Sequence, residues 1–266
     1  MMNGYNCVVC IKQVPDTGKV TGQAMKADGT INRAALPAIF NPEDRNALEA
    51  ALWVKETYGG TVTVITMGLP AATAILREAL WCGADRAVLV TDRKAAGSDT
   101  LATSYILSQA VKRFNPDFVF CGRQAIDGDT AQVGPQIGEK LDFAVVTYLE
   151  KLELDGRSAV ATRDIGTGIE RCRVRLPALF TVTDKFGELR PYRMRRVMSC
   201  KNAEPEILNC DDIGAEASRC GLAGSPTSVN KIVSVVLAGG DYKEVAPTDE
   251  GIRGLVDELV ADNTIG

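Results

Sequence analysis

The sequence predicts an α/β fold: a doubly wound parallel sheet with added antiparallel strands and a C-terminal arm. Three observations carry this. Up to residue 141, short apolar runs alternate with helical patterns across short loops, the signature of strands linked by crossover helices. Two of the runs, Cys7 to Val14 (CVVCIKQV) and Asp117 to Phe120 (DFVF), have the composition of strands buried in a parallel sheet. From residue 145 the pattern changes to paired segments around Asp155-Gly156, which reads as a hairpin.

Taken in order, Cys7 to Val14 is the first strand, and Val14-Pro15-Asp16-Thr17-Gly18 turns the chain at its carboxyl end, where a ligand crevice is expected. Asp28-Gly29-Thr30 is a hairpin turn signal. Asn41 is placed to cap a helix, Pro42 suits its first position, and Glu43 and Asp44 suit its positive end. Ala47, Leu48, Ala51 and Leu52 form that helix's apolar face. After the 61–67 strand, Gly68-Leu69-Pro70 opens a helix from Ala71 to Trp81, and Gly83 stops it. Arg86 to Thr91 is the third strand, 92–97 a loop, and Ser98 or Asp99 caps a helix running to Phe114.

Asp117 to Phe120 is the fourth strand, and Cys121 to Leu141 (CGRQAIDGDTAQVGPQIGEKL) is the stretch around which the chain is organised. It reads as strand, glycine-containing loop and helix start, with Asp129 or Thr130 as the N-cap and Pro135 near the first turn. That arrangement turns free backbone N–H groups and a positive dipole end toward an anion, and Gly122 and Gly128 let a phosphate approach the backbone. An ordinary strand-to-helix connection would look similar. Beyond it, Val145 to Leu154 and Ser158 to Arg163 make the hairpin, 169–175 alternates as an exposed antiparallel strand, and 177–182 is a buried one. Residues 203–230 are polar and glycine-rich and read as a linker; 232–237 is a further apolar run and 251–260 a short amphipathic helix.

Composition excludes several classes. A net charge of −4 gives no electrostatic case for nucleic acid or an anionic membrane. No apolar run is long enough to span a bilayer, and MMNGYNCVVC lacks a basic secretory n-region, so a cytoplasmic protein is expected. With no histidine at all, Ser-His-Asp catalysis and His-containing zinc sites are out, and any redox chemistry falls to a cofactor. Cys7-x-x-Cys10 lies on a strand, where that spacing sends the thiols to opposite faces, so buried reduced thiols are expected rather than a metal site or disulfide. The first turn has no G-x-G-x-x-G, and neither a P-loop nor a Ser-Gly-Gly-x-Asp-Ser loop is present, which argues against the usual dinucleotide fold and against an ATP-consuming enzyme.

The run GRQAIDGDTAQVGP resembles the nucleotide-binding signature of electron transfer flavoprotein β subunits, within the wider adenine-nucleotide fold that includes universal stress proteins and ATP pyrophosphatases. Cys10 to Pro15 resembles the family's opening segment, and 161–179 a second signature, with Ile165-Gly166-Thr167-Gly168 departing from it. The resemblance implies a nucleotide held by Cys10 and Lys12, by Asn41 and Asp44, by Met67 and Gly68, and by Gly122, Arg123, Gln124, Ala125, Ile126, Asp127, Gly128, Asp129, Thr130, Ala131, Gln132, Val133 and Gly134. It implies a nucleotide-binding domain over 1–202, with a partner-recognition loop at about 185–201 where Met194, flanked by Arg193, Arg195 and Arg196, docks a dehydrogenase. Residues 203–266 then form a linker and arm that pack on the α subunit of an obligate heterodimer.

Conventional members of that family hold a structural AMP; electron-bifurcating members hold FAD, take hydride from NADH, and send electrons to ferredoxin or flavodoxin and, through the α-subunit FAD, to an acyl-CoA dehydrogenase-type flavoprotein. Where animal-type AMP binders carry three acidic residues in a row, this chain has Asp127-Gly128-Asp129. One negative charge fewer beside a phosphate, with Gly128, Thr130 and Gly134 opening room, favours FAD over AMP. Arg123 and backbone dipoles are expected to stabilise reduced, anionic flavin, and no side chain stands out as a catalytic acid or base. The alternatives are a conventional AMP-holding β subunit and a nucleotide-binding sensor or scaffold of the same fold with no redox role.

Overall fold

A computed structural model describes residues 4–16, 36–228, 243–262 and 264–265. Its centre is a nine-stranded sheet built from β1 (Tyr5–Cys10), β4 (Gly60–Met67), β5 (Arg86–Val90), β6 (Phe118–Gly122), β7 (Ala144–Asp155), β8 (Ser158–Asp164), β9 (Ile169–Arg175), β10 (Ala178–Val182) and β11 (Glu206–Leu208). The order across it is β11-β5-β4-β1-β6-β10-β7-β8-β9. From β11 to β7 every neighbour pair is parallel; β8 and β9 join antiparallel at one edge. A separate antiparallel pair joins β2 (Gln13–Pro15) to β3 (Ala38–Phe40). The expected doubly wound sheet with an antiparallel extension is what the chain forms.

Helices cover both faces because every central strand is apolar on both sides. On one face α1 (Pro42–Tyr58) and α2 (Thr73–Cys82) bury Leu48, Leu52, Ile75 and Leu76 against Val9, Val64, Phe118 and Phe120. On the other, α3 (Thr100–Lys112) and α4 (Val133–Leu141) bury Ile106 and Ile137 against Val8, Ile65, Val119 and Leu179. Phe118, Phe120 and Phe180 form a ring cluster with centroids 5.7–5.9 Å apart, which locks β6 to β10. Cys7 belongs to the first core and Cys10 to the second, so the two thiols do lie on opposite faces, reduced and buried.

Four expectations are corrected. The strand expected over 7–14 breaks at Lys12, whose N–H leaves the sheet for the Asp44 carboxylate (2.7 Å) while its carbonyl takes the Asn41 N–H (3.0 Å). The helix after the signature loop starts at Val133, with Gln132 at its cap position, rather than after Asp129 or Thr130. Asp129 and Ala131 adopt left-handed backbone angles (φ 46° and 53°), which cannot open a right-handed helix. The helix begun at Asp99, whose carboxylate accepts from Leu101 and Ala102, ends at Lys112 instead of Phe114. Finally, 203–228 is not a core-poor linker: β11 extends the sheet beside β5, and Cys210, Ile213, Ala215 and Cys220 are buried in the second core.

The segments α5 (Met194–Ser199) and α6 (Asp249–Ala261) complete the described chain. Thr248 caps α6 by accepting the Gly251 N–H at 3.2 Å, and α6 leaves Ile252, Leu255, Val256 and Val260 exposed. The Asp28-Gly29-Thr30 turn, Thr17, Gly18 and the apolar run 232–237 lie outside the described residues.

Candidate functional site

The sheet order reverses between β1 and β6: the chain passes from β1 to β4 and β5 on one side, then returns to β6 and β10 on the other. Crevices at such points, beyond the carboxyl ends of the strands, are where open α/β sheets bind ligands. Here the first turn of α1 is wedged between the ends of β1 and β6, and it carries three polar side chains that each hold a different part of the signature loop.

Asn41 occupies the N-cap position of α1, yet its side chain does not cap the helix. It is fully buried and reaches across, donating from Nδ2 to the Gln124 carbonyl (2.9 Å) and accepting the Ile126 N–H at Oδ1 (3.2 Å). Glu43 takes Arg123 in a bidentate pair (2.7 and 3.1 Å) and also accepts the Gln124 N–H (3.2 Å). Asp44 turns inward: Oδ2 accepts the Lys12 N–H and Oδ1 the Gly122 N–H (3.2 Å), so one carboxyl joins the ends of both central strands. This contact demands glycine at 122, since a Cβ there would lie 2.4 Å from Asp44 Oδ1 and 2.7 Å from backbone atoms of Glu43 and Asp44.

The loop then closes on itself. Gly128 and Asp129 donate their N–H groups to the Ala125 carbonyl, Gln124 Nε2 bonds Asp129 (2.9 Å), and Lys12 Nζ pairs with Asp127 (2.7 Å). Thr100, at the start of α3, donates to Gln132 Oε1 (2.8 Å) at the head of α4. The backbone N–H groups of Thr130, Ala131, Gln132, Val133 and Gly134 have no acceptor among the described residues. Unpaired donors at the positive end of a helix are the kind of group that can receive an anion.

Burial pushes the Asp44 carboxyl up to about 7, against the opposing pull of Asn41 and the two backbone donors. Cys10 and Cys121 are register partners on β1 and β6, and the neighbouring Cys10 thiol, with burial, holds the Cys121 thiol well above the ordinary range. Cys10 is therefore a buried neighbour of the crevice floor.

The expected site residues thus fall into three places. Lys12, Asn41, Asp44 and Gly122 to Asp129 are joined by direct bonds, and Thr130 to Gly134 continue from them into α4. Met67 ends β4, beyond β1, and Gly68 follows it; Gly68 donates to the Val90 carbonyl, and Gln13 Nε2 bonds the Ala71 carbonyl in the turn that follows (3.3 Å). Arg193, Met194, Arg195 and Arg196 lie apart, on and beside α5, which packs against α2. Met194 is 72 % exposed, so it faces outward.

Three details change the sequence reading. The charge of Arg123 is matched by Glu43, so attraction for an anion rests on the backbone donors. Gly134 is required by packing, because a Cβ would sit 2.9 Å from the Thr181 methyl carbon and 3.3 Å from Cys121 Cβ. A Cβ at Gly128 would meet nothing within 4 Å, so glycine there removes a charge without being needed for space.

Sequence reasoning missed a groove of about 920 Å³ on the far side of the Arg123–Glu43 pair, lined among others by Asn46, Tyr148, Arg163, Ile165, Asp184 and Lys185. Its cations are already paired: Arg163 with Glu170 (2.5 Å), and Lys185 with Glu150 (2.8 Å) and Asp164 (2.7 Å). Tyr148 stands there in a left-handed conformation (φ 59°) beside a bulge in the β7–β10 pairing. No local sequence signal marks this groove, because its walls come from five separate stretches of chain.

Comparison with known proteins gives a consistent picture. Residues 28–209 match the family described as electron transfer flavoprotein domain. The chain is 43 % identical to the electron transfer flavoprotein subunit beta of Clostridium acetobutylicum, over 98 % of this chain and 100 % of that one. It is 42 % identical to the caffeyl-CoA reductase-Etf complex subunit CarD of Acetobacterium woodii (95 % and 97 %) and 42 % identical to the acryloyl-CoA reductase electron transfer subunit gamma of Anaerotignum propionicum (97 % and 98 %).

Proposed function

The chain belongs to the electron transfer flavoprotein family, among its β subunits, and from that premise we propose that it holds FAD at the β1/β6 crevice and serves electron bifurcation. In this reading it pairs with an α subunit, takes electrons from NADH, and divides them between ferredoxin or flavodoxin and the α-subunit FAD, which passes them to an acyl-CoA dehydrogenase-type flavoprotein. The observation that carries it is the loop held by Asn41, Glu43 and Asp44, after which five consecutive N–H groups, Thr130 to Gly134, have no acceptor among the described residues at the head of α4. A diphosphate fits that donor set. The buried Thr66 hydroxyl at the end of β4, with no partner among the described residues, offers a further polar contact at the same end of the sheet.

Bound FAD would supply the hydride-accepting chemistry. The chain's own residues would do the rest. Thr130 to Gly134 would bind the phosphates; Asn41 and Asp44 would hold the loop in register with β1; Lys12, already paired with Asp127, would close the crevice edge. Alignment rather than protein proton transfer is what hydride transfer needs, and no histidine is present to provide the latter. Two relatives named for acyl-CoA reductases support the bifurcating reading over the conventional one. The outward Met194 supports docking of the dehydrogenase at α5, and the exposed apolar residues of α6 support capture of the C-terminal arm by the α subunit.

A second reading, a structural AMP in the same crevice, is favoured by one observation: the free N–H groups would be satisfied by one phosphate as well as by two. Co-purification with the α subunit, denaturation and a count of released nucleotides decides between them. Two FAD per heterodimer support the proposal; one FAD with one AMP replaces it with the second reading.

A further inference from the structure

The six-residue helix α5 is fixed to the body of the protein on one side and open on the other. The Arg193 N–H donates to the Trp81 carbonyl (3.3 Å), its guanidinium pairs with Glu56 (2.5 Å), and Arg196 bonds the Ala84 carbonyl. Arg196, Val197 and Cys200 face the body and are partly buried. Met194 and Met198, one helical turn apart and so on one face, are 72 % and 74 % exposed. Between them Arg195 makes no ion pair among the described residues. Solvent-exposed thioethers are oxidised more readily than enclosed ones, and the change turns a flexible apolar side chain into a polar one. Met67, by contrast, is half-buried against the second core.

We propose that Met194 and Met198 form a peroxide-reactive pair, and that their conversion to methionine sulfoxide switches off docking at α5. The sulfur lone pair attacks one peroxide oxygen, the O–O bond breaks as the S–O bond forms, and hydrogen peroxide leaves as water; sulfur is oxidised and the peroxide reduced. The consequence for docking rests on the proposed function, because it requires that this face meets an electron-accepting partner. The chemistry at the two sulfurs does not.

The test treats the α–β heterodimer with hydrogen peroxide, then with dithiothreitol to reverse thiol oxidation, and maps sulfoxide by peptide mass spectrometry. Met194 and Met198 are expected to oxidise ahead of Met67. Electron transfer from the treated heterodimer to a purified acyl-CoA dehydrogenase is expected to fall about ten-fold, the scale of losing an apolar interface anchor. Methionine sulfoxide reductase should restore it, and the double variant M194L/M198L, whatever its own rate, should not respond to peroxide. Oxidation of Met67 ahead of the pair, or an equal peroxide effect in the double variant, overturns the proposal. Should the untreated heterodimer fail to reduce the dehydrogenase, the docking reading falls and takes the switch with it, while the sulfoxide map still decides which thioethers react.

Discussion

Asp44 makes the sharpest quantitative prediction. Its carboxyl is buried, and burial raises it from an ordinary value of 3.8 to about 7. Between those values the folded chain keeps a proton that the unfolded chain has released. Stability therefore falls as pH rises through that window and levels off above it. At roughly 1.4 kcal/mol per pH unit, the whole window is worth about 4 kcal/mol, and the part between about pH 5 and 7 about 3 kcal/mol. D44N cannot ionise. Its amide also offers one acceptor to two N–H groups, Lys12 and Gly122, which adds a pH-independent loss of about 1–3 kcal/mol.

Urea unfolding of the purified wild type and D44N, at matched pH values from about 5 to 8, isolates the contribution because other titrating groups cancel in the difference. The advantage of the wild type should be largest near pH 5 and shrink by about 3 kcal/mol by pH 8. An advantage that stays constant across the range would refute the reasoning: the two backbone donors would then outweigh burial and hold Asp44 among ordinary carboxylates.

Other changes test the same wedge. N41A removes the bonds to Gln124 and Ile126 and should cost about 1–3 kcal/mol in thermal or urea unfolding, with weaker nucleotide retention on gel filtration. G122A forces a Cβ against Asp44 and the α1 backbone and should destabilise by at least about 1–3 kcal/mol, whereas G128A, facing open space, should unfold like the wild type. K12A breaks a half-exposed ion pair with Asp127 and should change stability by less than about 1 kcal/mol, so any larger effect would place Lys12 on the ligand. T100V removes the bond to Gln132 and should weaken nucleotide binding more than it lowers the melting temperature, as differential scanning fluorimetry with and without FAD or AMP would report.

Local signals carried much of this. Pro42, Gly83 and Asp99 mark helix ends through local backbone preferences and contacts within a few residues, and the apolar strands announce a sheet covered on both faces. What escaped depends on partners far away in sequence. Asp44 looks like a dipole-complementing first-turn acid until it meets Gly122, seventy-eight positions later. Arg123 looks like a free cation until Glu43 neutralises it. Gly134 looks like room for a phosphate until Thr181 and Cys121 are found against it. The stretch after 203 hides its anchors among polar residues: Cys210, Ile213, Ala215 and Cys220 are spaced too irregularly to show a period, yet all are buried.

The three side chains of the α1 wedge explain why the loop can serve a ligand at low cost. A loop ordered only on binding would lose about 1–2 kcal/mol of backbone entropy per residue at that moment. Here Asn41 and Glu43 already hold Gln124 and Ile126, Asp44 holds Gly122, and Ala125 accepts from Gly128 and Asp129. Most of the ordering of 122–129 is therefore complete in the chain by itself, before the proposed nucleotide would bind, and the N–H groups of 130–134 have no acceptor among the described residues. Pre-organisation of this kind leaves the ligand's phosphates to contribute directly to affinity. It also makes affinity depend on the side chains that hold the loop, which is why Asn41 and Asp44, rather than the exposed Gly128, are where substitution should weaken nucleotide binding most.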